Sequence, residues 1–170
     1  MTVEKLKKDI NSLFNHAIGE VNPKNCILEH VNLKKNTLTI NDKKYKLSEY
    51  ESIYIVAFGK AAPAMANAIE ELLGDHITDG VVVSNTESEF EFKNMQFHLS
   101  SHPIPDKSSV VGAEKVIKLL RKSTENDLVI FLISGGGSAI LEFPSEGLTI
   151  SDIKKVTEKL MLFRLYCILF

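Results

Sequence analysis

An α/β fold built on a mostly parallel sheet is what this sequence predicts, and three observations carry the prediction. Leu128-Val-Ile-Phe-Leu-Ile133 is an unbroken apolar run that stops at Ser134, followed by three consecutive glycines. Ser52-Ile-Tyr-Ile-Val-Ala-Phe58 is a second such run, closed by Gly59-Lys60 and followed by an alanine-rich stretch over residues 61–73. Runs without polar alternation read as strands buried on both faces, and strands alternating with helical patterns read as parallel pairing through crossover helices.

Taken in order, the chain opens with Leu6, Ile10, Leu13, Phe14, Ala17 and Ile18 at spacings of three and four. They predict an amphipathic helix over residues 3–19 packed on the domain, closed by Gly19 and Pro23. Between residues 29 and 50 the pattern shortens to alternating pieces separated by Lys-Lys-Asn and Asn-Asp, the composition of a small hairpin or meander. Its lysines suit a solvated edge ribbon that discourages pairing with other chains. The run 52–58 is the first core strand. The helix after it tolerates Pro63 in its first turn and ends at Gly74.

Gly80-Val-Val-Val-Ser84 predicts a third strand and Met95-Gln-Phe-His-Leu99 a fourth, with a polar, acidic loop over residues 86–93 between them. Ser100-Ser-His-Pro-Ile-Pro-Asp106 then forms an extended turn, since two prolines in three residues forbid a helix there. Asp106 or Ser108 caps the next helix. His98 and His102 stand four apart, but in a strand and proline turn a hydrogen-bonded structural role outweighs a metal pair. After the strand over residues 128–133 and the helix that follows it, Glu142-Phe-Pro-Ser-Glu-Gly147 is a connection, and Ser151 or Asp152 caps a last helix.

Size and composition bound the function. A chain of 170 residues suits one domain, and 44% hydrophobic with 25% charged residues describes a globular protein at net charge −2. The lysines are interspersed with acids, so the basic footprint of a nucleic-acid binder is missing. Cys26 and Cys167 have no metal-ligand spacing and form no disulfide scaffold, and the N-terminus lacks a signal-peptide pattern. A cytoplasmic protein without membrane attachment is expected; the final apolar segment is too short to cross a bilayer.

The chemistry concentrates at the two strand ends. Gly135, Gly136 and Gly137, with Ser138, let backbone N–H groups converge on an anion, and a helix starting there adds the positive end of its dipole. The plainer alternative is that these glycines serve close strand-to-helix packing alone. Lys60 stands at the carboxyl end of a strand, the side of an open α/β sheet where ligands bind. Gly59-Lys60-Ala61 lacks the spacing of a P-loop, and neither glycine turn supplies the G-x-G-x-x-G of a dinucleotide site.

Three segments, Ala57-Phe-Gly-Lys-Ala-Ala-Pro-Ala-Met-Ala66, Ser101-His-Pro-Ile-Pro-Asp106 and Ile133-Ser-Gly-Gly-Gly-Ser-Ala139, stand in an order that resembles the N-terminal part of the glycerate 2-kinase family. That family carries a C-terminal MOFRL domain and includes proteins named hydroxypyruvate reductase. The resemblance implies a Rossmann-like three-layer domain, and an ATP- and magnesium-dependent transfer of phosphate to the 2-hydroxyl of glycerate. It implies that Lys60 is catalytic, binding the substrate or the transferring phosphate beside Gly59. Ser134, Gly135, Gly136, Gly137 and Ser138 would hold phosphate or carboxylate oxygens, while His102 and Asp106 shape the cleft. No protein-bound metal site is expected.

The resemblance runs to about Met161. The expected layout is therefore a glycerate kinase-like α/β domain over residues 1–161, lacking the family's second domain, and an apolar tail over 162–170. The loss of polar spacing in that tail suggests a frameshifted or terminated gene, and a fragment with little activity by itself. Two other functions compete: a non-catalytic Rossmann-like nucleotide-binding module, and an interaction module or homo-oligomer held through the tail.

Overall fold

The computed structural model describes residues 2–168, with side chains as far as Phe163. Four strands form the main sheet: β4 (Ile53–Phe58), β5 (Asp79–Ser84), β6 (Gln96–Leu99) and β7 (Leu128–Ile133). Their order is β6-β5-β4-β7, and every pairing is parallel. The run 31–46 forms a separate antiparallel meander, β1 (Val31–Lys34), β2 (Thr37–Ile40) and β3 (Lys43–Lys46).

Each face of the main sheet carries its own core. On one side Ile55, Ala57, Val82, Ile130 and Leu132 pack against α3 (Ala62–Leu73), with Ile27 and the inward Leu38 of the meander closing the layer. On the other, Tyr54, Val56, Val81 and Val83 meet Val116 and Leu119 of α4 (Lys107–Leu120) and the fully buried Ile140. The alternation along β4 and β5 thus sends successive residues into opposite layers, giving the expected α/β, Rossmann-like three-layer arrangement. Helix α3 forms because alanine and leucine dominate it, with Pro63 in its first turn, and Gly74 ends it at a φ of 52°.

Several expectations are corrected. The first helix, α1 (Val3–Glu20), forms, but none of its residues is buried, so it is not packed on the domain. Periodicity reveals that a helix has an apolar face and says nothing about what covers it. Gly19 does not close α1, and Pro23 opens a second helix, α2 (Pro23–His30), at whose start the Asn22 side chain accepts from the Lys24 N–H at 2.9 Å.

Strand β7 is an edge rather than a strand buried on both faces. Ile130 and Leu132 are covered, while Phe131 is 48% and Ile133 61% exposed. Apolar sequence reports tolerance of burial, not the presence of a neighbour. The helix after β7, α5 (Gly137–Ile140), is a single turn. The last helix, α6 (Ile150–Ile168), begins earlier than expected and uses Thr149: its hydroxyl accepts from the Asp152 N–H at 3.3 Å, and the Asp152 carboxylate accepts from the Thr149 N–H at 3.0 Å. Leu162 and Phe163 of the expected tail are exposed; side chains 164–170 lie outside the described residues.

Candidate functional site

Sheet order decides where the two glycine corners meet. The chain passes from β4 outward to β5 and β6, then returns to place β7 on β4's other side. The crevice at such a reversal, at the carboxyl ends of the strands, is where open α/β sheets bind ligands. Pairing of Ile53 with Leu128 through Phe58 with Ile133 keeps β4 and β7 in step, so Gly59 and Ser134 emerge side by side.

Three hydrogen bonds lock the corners together. The Ser134 N–H donates to the Phe58 carbonyl at 3.1 Å and the Lys60 N–H to the Gly135 carbonyl at 3.0 Å. The Ser134 hydroxyl accepts from the Ala61 N–H at 3.0 Å. Ser134 is therefore partly occupied in joining the turns. Gly59 makes this approach possible: at its φ of 117°, an added Cβ would lie 2.6 Å from the Ser134 carbonyl oxygen.

The three consecutive glycines are not equivalent. Gly136 has a φ of 89° and lies against the His102 ring, 3.0 Å from where a Cβ would stand, whereas a Cβ on Gly137 would meet the Phe58 ring at 2.9 Å. Gly135 has open space around it. Ser138 is exposed in the first turn of α5. A one-turn helix has almost no summed dipole, which corrects the expected dipole contribution. What remains on this rim is a set of backbone N–H groups and the exposed ammonium of Lys60.

Proline turn and glycine turn meet through His102, whose peptide bond to Pro103 is cis. Burial first, and then the nearby positive charge of Lys60, hold the imidazole below its ordinary value of 6.5. Asp106 holds the start of α4. Its carboxylate accepts from the Ser108 N–H at 2.7 Å and caps α4, and the Ser108 hydroxyl is the first cause holding its pKa down. His98 is structural, donating from Nε2 to the Ser108 carbonyl at 2.7 Å.

Beside Lys60 lies a hollow of about 250 Å³, walled by Ala61 and Pro63 on one side and Thr86, Glu87, Glu89 and Phe90 on the other. Sequence reading left those last four residues as surface loop, because only the lateral placement of β5 beside β4 brings them here. Next to them, the buried Ser84 Oγ and Asn85 Oδ1 have no hydrogen-bond partner among the described residues. A roomier hollow of about 610 Å³ runs along β7 between α2 and α3. Its wall is almost entirely apolar and includes neither corner, so the smaller one, lined by Lys60 and two carboxylate residues, is the better functional candidate.

Comparison with known proteins bears on the family and the fold. The family model described as "Domain of unknown function (DUF4147)" matches residues 9–163. A glycerate 2-kinase of Pyrococcus horikoshii is 36% identical over 149 residues, which is 88% of this chain and 33% of that protein. A crystal structure of a Pyrococcus horikoshii protein superposes with a TM-score of 0.80 at 35% identity, over 92% of this chain and 35% of the other. The crystal structure of a Thermotoga maritima glycerate kinase gives 0.74 at 32% identity, over 93% and 35%. The chain thus spans about a third of the length of the relatives it matches. Joined strand corners, family model and superposition lead to one conclusion: this chain belongs to the DUF4147 family and corresponds to the N-terminal part of glycerate 2-kinases.

Proposed function

We propose that this chain is the phosphate- and substrate-holding part of a glycerate 2-kinase, which transfers phosphate from ATP to the 2-hydroxyl of D-glycerate. The observation that carries the reading is the direct joining of the Lys60 corner to the glycine corner at the sheet's reversal point. Phosphoryl transfer asks a protein mainly for positioning and charge stabilisation. Lys60 supplies a mobile positive charge, and backbone N–H groups of residues 135–138 supply fixed donors to phosphate or carboxylate oxygens. Ser134 holds the two turns in step, and His102, kept neutral near pH 7, packs behind Gly136 without adding a second cation.

Magnesium fits this rim only as an ion arriving on nucleotide phosphates. Among the described residues no three carboxylate, histidine or cysteine side chains converge on a metal position, while Glu87 and Glu89 line the hollow beside Lys60. One or two carboxylates plus phosphate oxygens satisfy this cation, which would neutralise charge on the transferring group. Residues 1–161 act as one α/β domain in this reading, with 162–170 as an apolar appendage, and the cleft is completed by the part of the relatives this chain does not span. A cytoplasmic setting fits the substrates; no helix among the described residues is long and apolar enough to cross a membrane.

The test is a pair of titrations followed by amide NMR, one with ATP and magnesium and one with D-glycerate. Shifts concentrated in residues 59–61 and 134–138 and abolished by Lys60→Ala support the reading; shifts elsewhere, or none with either compound, overturn it. Coupled ADP release with D-glycerate then separates a kinase from a non-catalytic nucleotide-binding module, and gel filtration reads any self-association through the tail.

A further inference from the structure

Behind the glycine turn runs a line of hydroxyl groups that touches none of the proposed ligand-binding atoms. Ser100 is 7% exposed and Ser109 is fully buried. The Ser100 Oγ lies 2.6 Å from the Ile140 carbonyl oxygen and 3.3 Å from the Ser109 Oγ, which in turn lies 3.1 Å from the Ser101 Oγ. The Ser109 Oγ also accepts from the Asp106 N–H at 3.2 Å.

The carbonyl fixes the direction of the last bond. A hydroxyl carries one proton, and a carbonyl only accepts, so the Ser100 proton goes to Ile140. The Ser101 hydroxyl also serves the Asp106 carboxylate, so Ser109, which accepts from the Asp106 N–H, is the point that ties Ser100 to the cap of α4. The cluster ends on the last residue of the one-turn helix α5. Such a helix has too few internal bonds to hold itself: its own are the Ala139 and Ile140 N–H groups to the Gly136 carbonyl, both at 3.2 Å, and Leu141 N–H to Gly137 at 2.8 Å. Its remaining supports are the Ile140 side chain in the core and the rings of Phe58 and His102 against Gly137 and Gly136.

We infer that Ser100 is a positioning residue for the anion-binding glycine turn, anchoring the far end of α5 to the start of α4 through the Ser109–Ser101 line. As to ligand affinity, this inference rests on the reading under Proposed function; the anchoring itself does not. Removing the Ser100 hydroxyl leaves a buried carbonyl without its donor and lets residues 135–138 sample orientations that no longer converge.

The experiment compares wild type, Ser100→Ala and Val82→Ala. Val82 is fully buried on the opposite face of the sheet and serves as a stability control. Two quantities are read: the Kd for magnesium-ATP, and hydrogen exchange at the Ile140 and Leu141 amides. Ser100→Ala is expected to weaken ATP binding about tenfold, the equivalent of one well-made buried hydrogen bond, and to speed exchange at both amides while α3 exchange stays as in wild type. Val82→Ala is expected to lower the melting temperature and leave Kd within about twofold, since it removes core contacts without touching α5. Unchanged exchange at Ile140 and Leu141 in Ser100→Ala overturns the anchoring, whether or not ATP binds. Exchange that speeds up while Kd stays put overturns the link to the ligand. A wild-type chain that does not bind ATP condemns the kinase reading instead, and exchange alone then decides the anchoring. Should Ser100→Ala fail to fold, Ser101→Ala removes the outermost hydroxyl of the cluster and is read by the same exchange, with a smaller change expected in the same direction.

Discussion

The two strand-to-helix corners solve the same geometric problem with opposite resources. At Gly59 the chain enters a twelve-residue helix whose buried face includes Ala62, Ala66, Ile69 and Leu73, so the turn is held by everything that follows it. At Ser134 the chain enters one turn of helix, and the corner is held by what surrounds it: Phe58, His102 and the buried serines. The first corner carries the side-chain charge and the second carries bare main chain. The lesson is that a reactive cation tolerates a small, strongly anchored turn, whereas a cradle of N–H groups needs several small residues and must borrow its rigidity from neighbours.

The largest test of that contrast is Gly59→Ala. The new Cβ would press into Ser134 at a φ that side chains rarely adopt, and the expected loss is about 3 kcal/mol or more, read from urea unfolding. Near-wild-type stability would mean that the corners are not tightly joined. Next comes Gly136→Ala, expected to cost about 1–3 kcal/mol through its positive φ and to displace the His102 ring, visible as a changed imidazole resonance. Third is the titration of His102. Its folded-state pKa lies below the unfolded value, so the unfolded chain binds more protons as pH falls past about 6.5. Stability from this group is therefore present above that pH and is lost as pH falls through the depressed folded value. Lys60→Met should raise the midpoint only part of the way back, because burial is the larger cause; full recovery would show that charge dominates. The smallest effect is expected for Gly135→Ala, which has open space and an unstrained φ, with a change within about 0.5 kcal/mol in the same unfolding assay.

Much of this was legible in the chain because it was local. The uncharged runs at 53–58 and 128–133, the alanine-rich helix, Gly74 as its stop and Asp106 as a cap all follow from neighbours in sequence. Both corners were visible as glycine after strand. What escaped depends on lateral order or on partners. Thr86, Glu87 and Phe90 reach Lys60 only because β5 lies beside β4. Ser100 and Ser109 look like ordinary loop and helix serines until folding brings Ile140 to them. The exposed faces of α1 and β7 were misjudged for the converse reason: apolar spacing describes what a surface wants, not what it finds.

The outer side of β7 has a practical consequence. Leu128-Val-Ile-Phe-Leu-Ile133 is six residues of high β-propensity without charge or proline, and no strand among the described residues pairs with its open side. Segments of that kind template cross-β stacking when chains crowd together. Concentrated preparations should therefore lose material to fibrillar aggregates that begin at this segment, and a lysine in place of Phe131, at the exposed side of the strand, is the single change best placed to suppress them.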